Sequence, residues 1–572
     1  MSLTFLKKTT SVSDIATLLG YKPKALAYIL YAKPIASRYT EIEINKKNGG
    51  TRTISIPDDH LKLVQRRLSG LLLDCVDEIF MSTELHDGTR RPDRIAHGFK
   101  RNRSIITNAR QHKNKRYVFN LDLKDFFPSI NFGRVRGFFI ENKHFELSPK
   151  TATVLAQIAC YNNALPQGSP CSPVVSNLIG HILDIRINSL ARKVRCVYSR
   201  YADDLTFSTN LKVFPKDIAV QFSGDDHSWD AGNKLKRIIE RSGFSINKKK
   251  TRMQYMTSRQ EVTGLTVNKR INTSKSYRKN VRAMVHRVVK TGQFQIMTEG
   301  EEQEGKLTQL HGMLGFIYHV DFVNSILQKV PEKEFKPSIE SVYRQFLIYK
   351  YFYATKAPIL LCEGKTDNVY ITHAIRQLAS SYPTIAEVES EGIITIKVRQ
   401  FRYTNTTTSR ILKLRGGTGN LKDFINDYKH AIKKFSAPGM KHPIIILVDN
   451  DDGANSILSI AKQITKKQQD RNSEFIHLIN NLYVILTPLA GTSEQSKIED
   501  CFNASTLNIP LKGKIFTTNN EYDNTTHYGK SHFAYQIVEK YADKIDFSGF
   551  KPILDRIMAV IEHYNLSIAT DQ

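Results

Sequence analysis

The sequence predicts an α+β unit in its first part and an α/β unit with a parallel sheet in its second part. The chain has 572 residues, more than one hydrophobic core usually organises, so we expect two principal domains. Helical and strand patterns are mixed up to about residue 330, whereas strands and helices alternate from residue 359 onwards. Such alternation is typical of a parallel sheet with crossover helices.

Apolar spacing indicates the elements of the first part. Apolar residues recur at helical spacing from Leu61 to Leu72, and the residue types at 117–123 and 197–208 are typical of strands. The valines between 275 and 290 fall on one helical stripe, with arginine and lysine elsewhere on the helix surface. Such a helix can pack inward and face phosphates outward.

Prolines between 331 and 337 interrupt the helical pattern, so we expect a linker at 331–355. A strand at 359–362 begins the second part. The elements expected after it are a helix from Asp367, a strand at 393–398, a helix from Leu421, and strands at 444–448 and 483–486. We expect an insertion at about 381–440 and assign no structure to an extension at 506–572.

The net charge of the chain indicates which kind of molecule the protein binds. The 83 lysines and arginines exceed the 55 acids and leave a net charge of +28, which favours a polyanion such as nucleic acid. No apolar run approaches the ~20 residues of a membrane span, and the first residues lack the order of a secretory signal, so we expect a cytoplasmic protein. The six cysteines form no C-x-x-C pair, which argues against a zinc ribbon or a disulfide framework.

Three aspartates stand at predicted strand ends. Asp122 ends an apolar strand, and Asp203 with Asp204 lies in a predicted hairpin turn. Aspartate pairs are common in turns, but three carboxylates at strand ends can also hold two divalent ions for nucleotidyl transfer. Mg²⁺ suits such oxygen ligands.

These residues fall in motifs that resemble those of reverse transcriptases. Residues 122–127 resemble the first catalytic motif of that family, 165–170 the template and nucleotide motif, and 201–204 the signature Tyr-Ala-Asp-Asp turn. The resemblance implies that Asp122, Asp203 and Asp204 are catalytic metal ligands. It further implies that Phe127 crowds a ribose 2′-hydroxyl, that Gln167 and Gly168 contact the nascent base pair, and that Lys250 approaches the triphosphate of a dNTP.

Two shorter motifs resemble those of retron reverse transcriptases. They are the N-A-x-x-H pattern from Asn108 to His112 and the V-T-G pattern of Val262, Thr263 and Gly264, which we expect to bind RNA. The resemblance implies a right-hand polymerase with fingers and palm at 1–265 and a thumb at 266–330. It also implies copying of a cognate non-coding RNA, primed from an internal guanosine 2′-hydroxyl, into branched RNA-DNA called msDNA.

A second set of acids follows predicted parallel strands. Glu363 comes directly after the strand at 359–362, and Asp449 with Asp451 follows the strand at 444–448, where open α/β sheets form their sites. The pattern resembles the Rossmann-like TOPRIM domain, here at 356–505, with Glu499 as a further acid and Asp367 near the first. The resemblance implies that this second domain is a nuclease. Two-metal sites for Mg²⁺, with Mn²⁺ as a possible substitute, are then expected in both domains.

Other functions stay open at this point. The second domain could instead be a non-catalytic module that binds nucleic acid or another protomer of a homo-oligomer, its acids being helix caps and turns. The first could be an intron maturase or a defence polymerase unrelated to retrons. By family behaviour, the TOPRIM domain is expected to be the effector of a toxin-antitoxin module in antiphage defence, held inactive by msDNA.

Overall fold

The structure, a computed structural model, describes residues 2–45, 49–82, 95–222, 228–298, 300–404, 406–489, 491, 493–519 and 521–570. The chain forms two compact units, Met1–Arg278 with Val320–Lys333, and Lys279–His319 with Glu334–Gln572. The segment 266–330, expected to form one subdomain, is therefore divided between the units. None of the described helices is long and apolar enough to cross a lipid bilayer.

The first unit is built around a five-stranded sheet, called here the antiparallel sheet. Its first three strands in order are Val197–Tyr201, Asp204–Thr209 and Tyr117–Lys124, and the last of these also pairs with Ser245–Ile246 and Arg252–Tyr255. The strand Tyr117–Lys124 is buried along most of its length, because the sheet lies in the hydrophobic core of the unit. The strands expected at 117–123 and 197–208 are thus present, and the second one is a hairpin.

Helices and three small hairpins surround the antiparallel sheet. The hairpins pair Tyr39–Asn45 with Thr51–Pro57, Ala219–Gln221 with Trp229–Ala231, and Glu261–Val262 with Leu265–Thr266. The α-helices are Ser2–Lys7, Val12–Leu18, Pro23–Ala27, Asp59–Ser82, Ile105–Gln111, Phe132–Glu141, Pro149–Ala159, Ser172–Lys193 and Asn233–Arg241. Two longer helices, Lys275–Thr291 and Leu307–Leu327, each contribute residues to both units.

The second unit contains a second five-stranded sheet, called here the parallel sheet. Its order is Arg399–Gln400, Ile359–Cys362, Ile444–Val448, Leu482–Leu486 and Ile476–Ile479, and only the last strand runs antiparallel to its neighbour. The central strands are wholly apolar and buried, as expected when helices cover both faces. The other helices and strands are Gln295–Thr298, Glu301–Glu304, Asp367–Gln377, Ala386–Val388, Ile394–Ile396, Thr407–Leu412, Thr418–Ile432, Ala454–Thr465, Ala504–Leu507, Ile515–Phe516, His527–Tyr528, Lys530–His532 and Lys551–Thr570.

Two regions differ from the sequence-based expectation. Residues 331–355 were expected to be a linker, but most of them form the helix Glu340–Ile348 and the π-helical turn Tyr349–Tyr353. Tyr343, Phe346 and Phe352 are buried there, because this segment carries more aromatic surface than a solvated linker can expose. Part of the expected insertion at 381–440 also belongs to the parallel sheet, since Arg399–Gln400 is its edge strand.

Candidate active sites

Three aspartates meet at one edge of the antiparallel sheet. Asp122 lies opposite Asp204 in the register of their two strands. Asp203 precedes that strand in the hairpin turn, and its backbone carbonyl accepts a hydrogen bond of 3.0 Å from the Leu123 N–H. The sheet pairing therefore brings together the three carboxylates that the sequence motifs predicted.

A buried ion pair holds the turn that carries Asp203. The Arg200 guanidinium donates to both carboxylate oxygens of Asp184, at 2.8 and 2.7 Å, and both side chains are 0% exposed. Arg200 also donates to the Ala202 carbonyl at 3.1 Å, and Tyr198 donates to Asp184 at 2.8 Å. Sequence reasoning missed this pair, although an arginine in the middle of a predicted strand was an available signal.

Close backbone packing fixes the same turn from outside. Ala202 has a φ of 55°, in the left-handed region. Gly98 lies against it so closely that a Cβ at residue 98 would stand 2.7 Å from the Ala202 nitrogen. The Asn177 side chain donates to the Gly98 carbonyl at 2.7 Å and holds this segment in place.

Charge at the three aspartates favours a cation. Burial and the neighbouring Asp203 and Asp122 charges raise the pKa of Asp204 to about 6, although its side chain keeps access to solvent. Burial and Asp122 also raise the pKa of Asp203. The Lys250 ammonium lies 2.7 Å from Asp122 and partly offsets this excess of negative charge, as a bound cation would.

The donor set fits Mg²⁺, which takes carboxylate oxygens and retains several waters. Among the described residues, no three histidine, cysteine or carboxylate side chains are arranged tightly enough to hold a metal as they stand. Asp122 is occupied by Lys250 and by Asn247, which donates at 3.0 Å, so a metal would replace the ammonium at this carboxylate.

The predicted nucleotide and template residues lie on neighbouring segments. Phe127 is half-buried, with its ring 6.3 Å from that of Phe99. The Gln167 carbonyl accepts a 2.7 Å hydrogen bond from the Ser55 N–H. Gly168 has a φ of 118°, and a Cβ there would stand 2.6 Å from the Ser55 carbonyl oxygen, so glycine is required by both conformation and space.

The V-T-G residues line the same cleft as the aspartates. Thr263 and Gly264, with φ of 47° and 80°, form the two-residue turn of a hairpin, and Val262 is buried beneath it. Both turn residues line a cavity of about 360 Å³ together with Asp122 and Lys250. Their position is compatible with contact to a bound nucleic acid.

Asn108 and His112 do not occupy the surface expected of RNA-binding residues. Both are 0% exposed. His112 makes hydrogen bonds from both ring nitrogens, to Ser208 at 2.8 Å and Ser199 at 2.7 Å, and Ser199 donates to Asn108 at 2.5 Å. The expectation of direct RNA contact is wrong for these two side chains, because they hold helix Ile105–Gln111 against the antiparallel sheet.

The second set of acids gathers at the carboxyl ends of the parallel strands. The Asp449 N–H donates to the Glu363 carboxylate at 3.3 Å, and Asp449 in turn accepts from the Ile498 N–H at 2.8 Å. Asp451 accepts from the Gly453 N–H at 2.8 Å, at the start of the helix Ala454–Thr465. Sheet topology thus places the three predicted acids on one edge of the sheet.

Two further acids and a lysine complete this group, called here the acid cluster. Asp367 accepts a 2.6 Å hydrogen bond from the Gly364 N–H. Glu499 is 1% exposed, and one of its carboxylate oxygens is 2.9 Å from the Lys530 ammonium. The other oxygen, Oε1, is buried with no hydrogen-bond partner among the described residues. Lys530 lies in the unassigned extension, where sequence reasoning found no signal for it.

Electrostatics in the acid cluster also favour a cation. Burial raises the pKa of Asp449 to about 8, with Asp367 and Glu499 adding to the effect and Lys530 opposing it. Burial likewise raises the pKa of Glu363, Asp367 and Glu499. Burial alone would lower the pKa of Lys530, but the Glu499 carboxylate and its acidic neighbours hold it above its usual value.

Comparison with known proteins identifies relatives of this chain. The sequence profile of the family "Reverse transcriptase (RNA-dependent DNA polymerase)" matches residues 44–276. Retron Mx65 reverse transcriptase of Myxococcus xanthus is 32% identical over an alignment that covers 53% of this chain and 67% of the relative. Retron Mx162 reverse transcriptase, from the same organism, is 32% identical over 55% and 65%. Retron Ec86 reverse transcriptase of Escherichia coli is 30% identical over 54% and 85%. The matched family profile spans all three aspartates of the antiparallel sheet.

Proposed function

Because the chain belongs to the retron reverse transcriptases, we propose that it copies a cognate non-coding RNA into msDNA, priming from an internal guanosine 2′-hydroxyl. The chain has the RNA-directed DNA polymerase fold of its family. The observation that carries the proposal is the register of Asp122 opposite Asp204, with Asp203 beside them. Three carboxylates at one sheet edge are what two-metal nucleotidyl transfer requires.

In this proposal each residue of the cleft has a distinct task. Asp122, Asp203 and Asp204 would hold two Mg²⁺ ions, which would supply a lowered pKa for the attacking hydroxyl and positive charge for the leaving pyrophosphate. Lys250, displaced from Asp122, pairs with the dNTP triphosphate. The ring of Phe127 excludes a ribose 2′-hydroxyl, and Gly168 leaves room for the nascent base pair.

The test is to express the gene with its flanking DNA and analyse total nucleic acid on a denaturing gel. We expect a small DNA whose mobility changes after a debranching enzyme cleaves its 2′-5′ linkage. The variant Asp203→Asn with Asp204→Asn should lose this DNA, and Asp217→Asn, at a half-buried acid that pairs with Lys234 and does not line the cleft, should retain it. A soluble protein that makes no such DNA would favour a defence polymerase of another kind.

We propose further that the second unit is a TOPRIM nuclease that acts as a defence effector. The acid cluster carries this proposal, since five carboxylates and Lys530 converge where parallel strands end. Glu363, Asp449 and Asp451 would bind Mg²⁺, with Glu499 as a further ligand. Bound metal would supply an activated water for hydrolysis of a phosphodiester.

A cleavage assay on the full-length protein distinguishes a nuclease from a non-catalytic module in the second unit. With Mg²⁺ we expect the wild type to cut labelled RNA or DNA, and Glu363→Gln and Asp449→Asn to reduce cutting at least a hundredfold. The matched control Asp470→Asn removes an exposed acid of the same unit. In cells, Glu363→Ala should abolish protection from phage while msDNA persists. Protection that survives this change would count against the effector.

A further inference from the structure

Two open cavities adjoin each other in the extension at 506–572. The larger has a volume of about 600 Å³ and the smaller about 220 Å³. Leu511 and Gln536 line both of them, so the two cavities are neighbours, and together they are called here the C-terminal groove. The groove belongs wholly to the second unit.

The walls of the C-terminal groove carry lysines and tyrosines among apolar residues. Its larger part is lined by Lys540 and Lys544 and its smaller part by Lys512 and Lys514, while no described lining residue is an aspartate or a glutamate. Tyr535 is 50% exposed in the larger part. The Tyr541 ring there lies 5.3 Å from the Lys540 ammonium. Lysines that neutralise phosphates beside tyrosines that stack on bases are typical of sites for single-stranded nucleic acid.

The groove begins on the two segments that carry Glu499 and Lys530. The helix Ala504–Leu507, which follows Glu499, lines it with Ser505 and Thr506. The helical segment that begins at Lys530 lines it with Tyr535 and Gln536. Gln536 is six positions from Lys530 in the same helical run, whose second part, Phe533–Val538, is π-helical. The lysine of the acid cluster and two residues that line the groove are therefore carried by one continuous segment.

We propose that the C-terminal groove binds a single strand of nucleic acid and leads its backbone to the acid cluster. The inference rests on the proposed nuclease function and names its substrate class. A single strand fits because Tyr535, which is 50% exposed, can stack only on a base that a partner strand does not cover. The lysines bind phosphates without regard to sequence, so the site selects strandedness and not a base sequence.

Photo-crosslinking of the full-length protein tests this proposal. The probe is a twelve-nucleotide RNA containing 4-thiouridine, added in EDTA so that it is not cut, with excess primer-template duplex to occupy the polymerase cleft. We expect crosslinked peptides that contain Tyr535 or Tyr541. Lys540→Glu with Lys544→Glu should reduce these crosslinks at least tenfold. The matched control Lys433→Glu with Lys434→Glu, on exposed lysines of the same unit, should leave them unchanged.

The salt dependence of binding gives a second readout. Removing two phosphate contacts to a single strand should reduce the slope of log K against log salt by about 1.4. An unchanged slope, crosslinks that map elsewhere, or equal crosslinking of a fully paired probe would overturn the proposal. Capture of a protein by the groove without binding of the RNA would overturn it too. If the RNA crosslinks at Tyr535 but no variant or wild type ever cuts nucleic acid, the groove stands and the nuclease proposal fails.

Discussion

Arg200 and Asp184 form an ion pair with two hydrogen bonds and no solvent-exposed surface on either side chain. Arg200 also binds the carbonyl of Ala202, the residue before Asp203. The position of a metal-binding turn thus depends on a charge pair inside the protein. Because a buried charge without a partner is costly, the pair couples the stability of the first unit to the geometry of its active site.

Asp184→Asn should weaken both stability and DNA synthesis. It leaves the Arg200 charge buried and incompletely paired, which costs about 3–5 kcal/mol in comparable cases. Urea unfolding measures the loss, and primer extension measures synthesis. Asp217→Asn is the control, because its partner Lys234 is exposed and such pairs contribute about 1 kcal/mol or less. Equal unfolding of the two variants would contradict the structural role of the pair.

Gly98→Ala should impair synthesis more than stability. The added methyl would stand 2.7 Å from the Ala202 nitrogen and would push the turn that carries Asp203. We expect at least a tenfold lower rate of primer extension. In the control Gly70→Ala, a Cβ meets nothing within 4 Å in helix Asp59–Ser82, and alanine should stabilise the protein by up to about 1 kcal/mol. Wild-type rates in Gly98→Ala would show that the turn tolerates displacement.

Asp204→Asn should raise the melting temperature of the metal-free protein at pH 8. The folded-state pKa of Asp204, about 6, lies above its unfolded value, so its ionisation destabilises the fold as pH rises through that range. Asparagine removes this penalty, and the gain should shrink as pH falls from 6 towards 4 and vanish near pH 3, below both pKa values, where both states carry the proton. Calorimetry in EDTA at pH 8 and pH 3 measures the change in melting temperature. Loss of primer extension by the Asp204→Asn variant is the second readout. A lower melting temperature at pH 8 would contradict the repulsion among the aspartates.

His112 should make the first unit sensitive to acid. Burial lowers its pKa to about 3, so the unfolded chain takes up a proton below pH 6.5 that the folded state refuses. The free energy of unfolding should therefore fall as pH drops from 6.5 towards 3, by up to about 1.4 kcal/mol per pH unit. His112→Gln should remove this slope in urea titrations at pH 7, 6 and 5. The exposed-residue control His60→Gln should keep it.

Lys530→Met should destabilise the second unit, and a second change should restore it. The single change leaves the Glu499 carboxylate, 1% exposed, without its cation. Adding Glu499→Gln removes the buried charge, so the double variant should melt at a higher temperature than Lys530→Met alone. Thermal unfolding in EDTA gives the melting temperatures of the wild type, the two single variants and the double variant. Additive effects of the two changes would mean that the pair contributes no coupling energy.

The strand patterns predicted both groups of acids because they show where each strand ends. A carboxylate after an apolar strand must lie at a sheet edge, so Asp122 with Asp204, and Glu363 with Asp449, could be expected to meet. The sequence cannot show which polar residues turn inward, because that depends on packing between distant segments. His112 looked like a surface ligand for RNA and is instead a buried hydrogen-bonding partner of Ser199 and Ser208. Lys530 reaches Glu499 from 31 positions further along the chain, across a segment without a recognisable pattern.

Helix Ile105–Gln111 connects the back of the antiparallel sheet to the wall of the cleft. Its far end is fixed by His112, and at its start the Ile105 carbonyl accepts a 3.2 Å hydrogen bond from Thr263 in the turn that lines the cavity. The helix therefore links the buried hydrogen bonds of His112 to the turn that lines the cavity. We therefore expect that the placement of Thr263 beside a bound template depends on how His112 is held against the sheet.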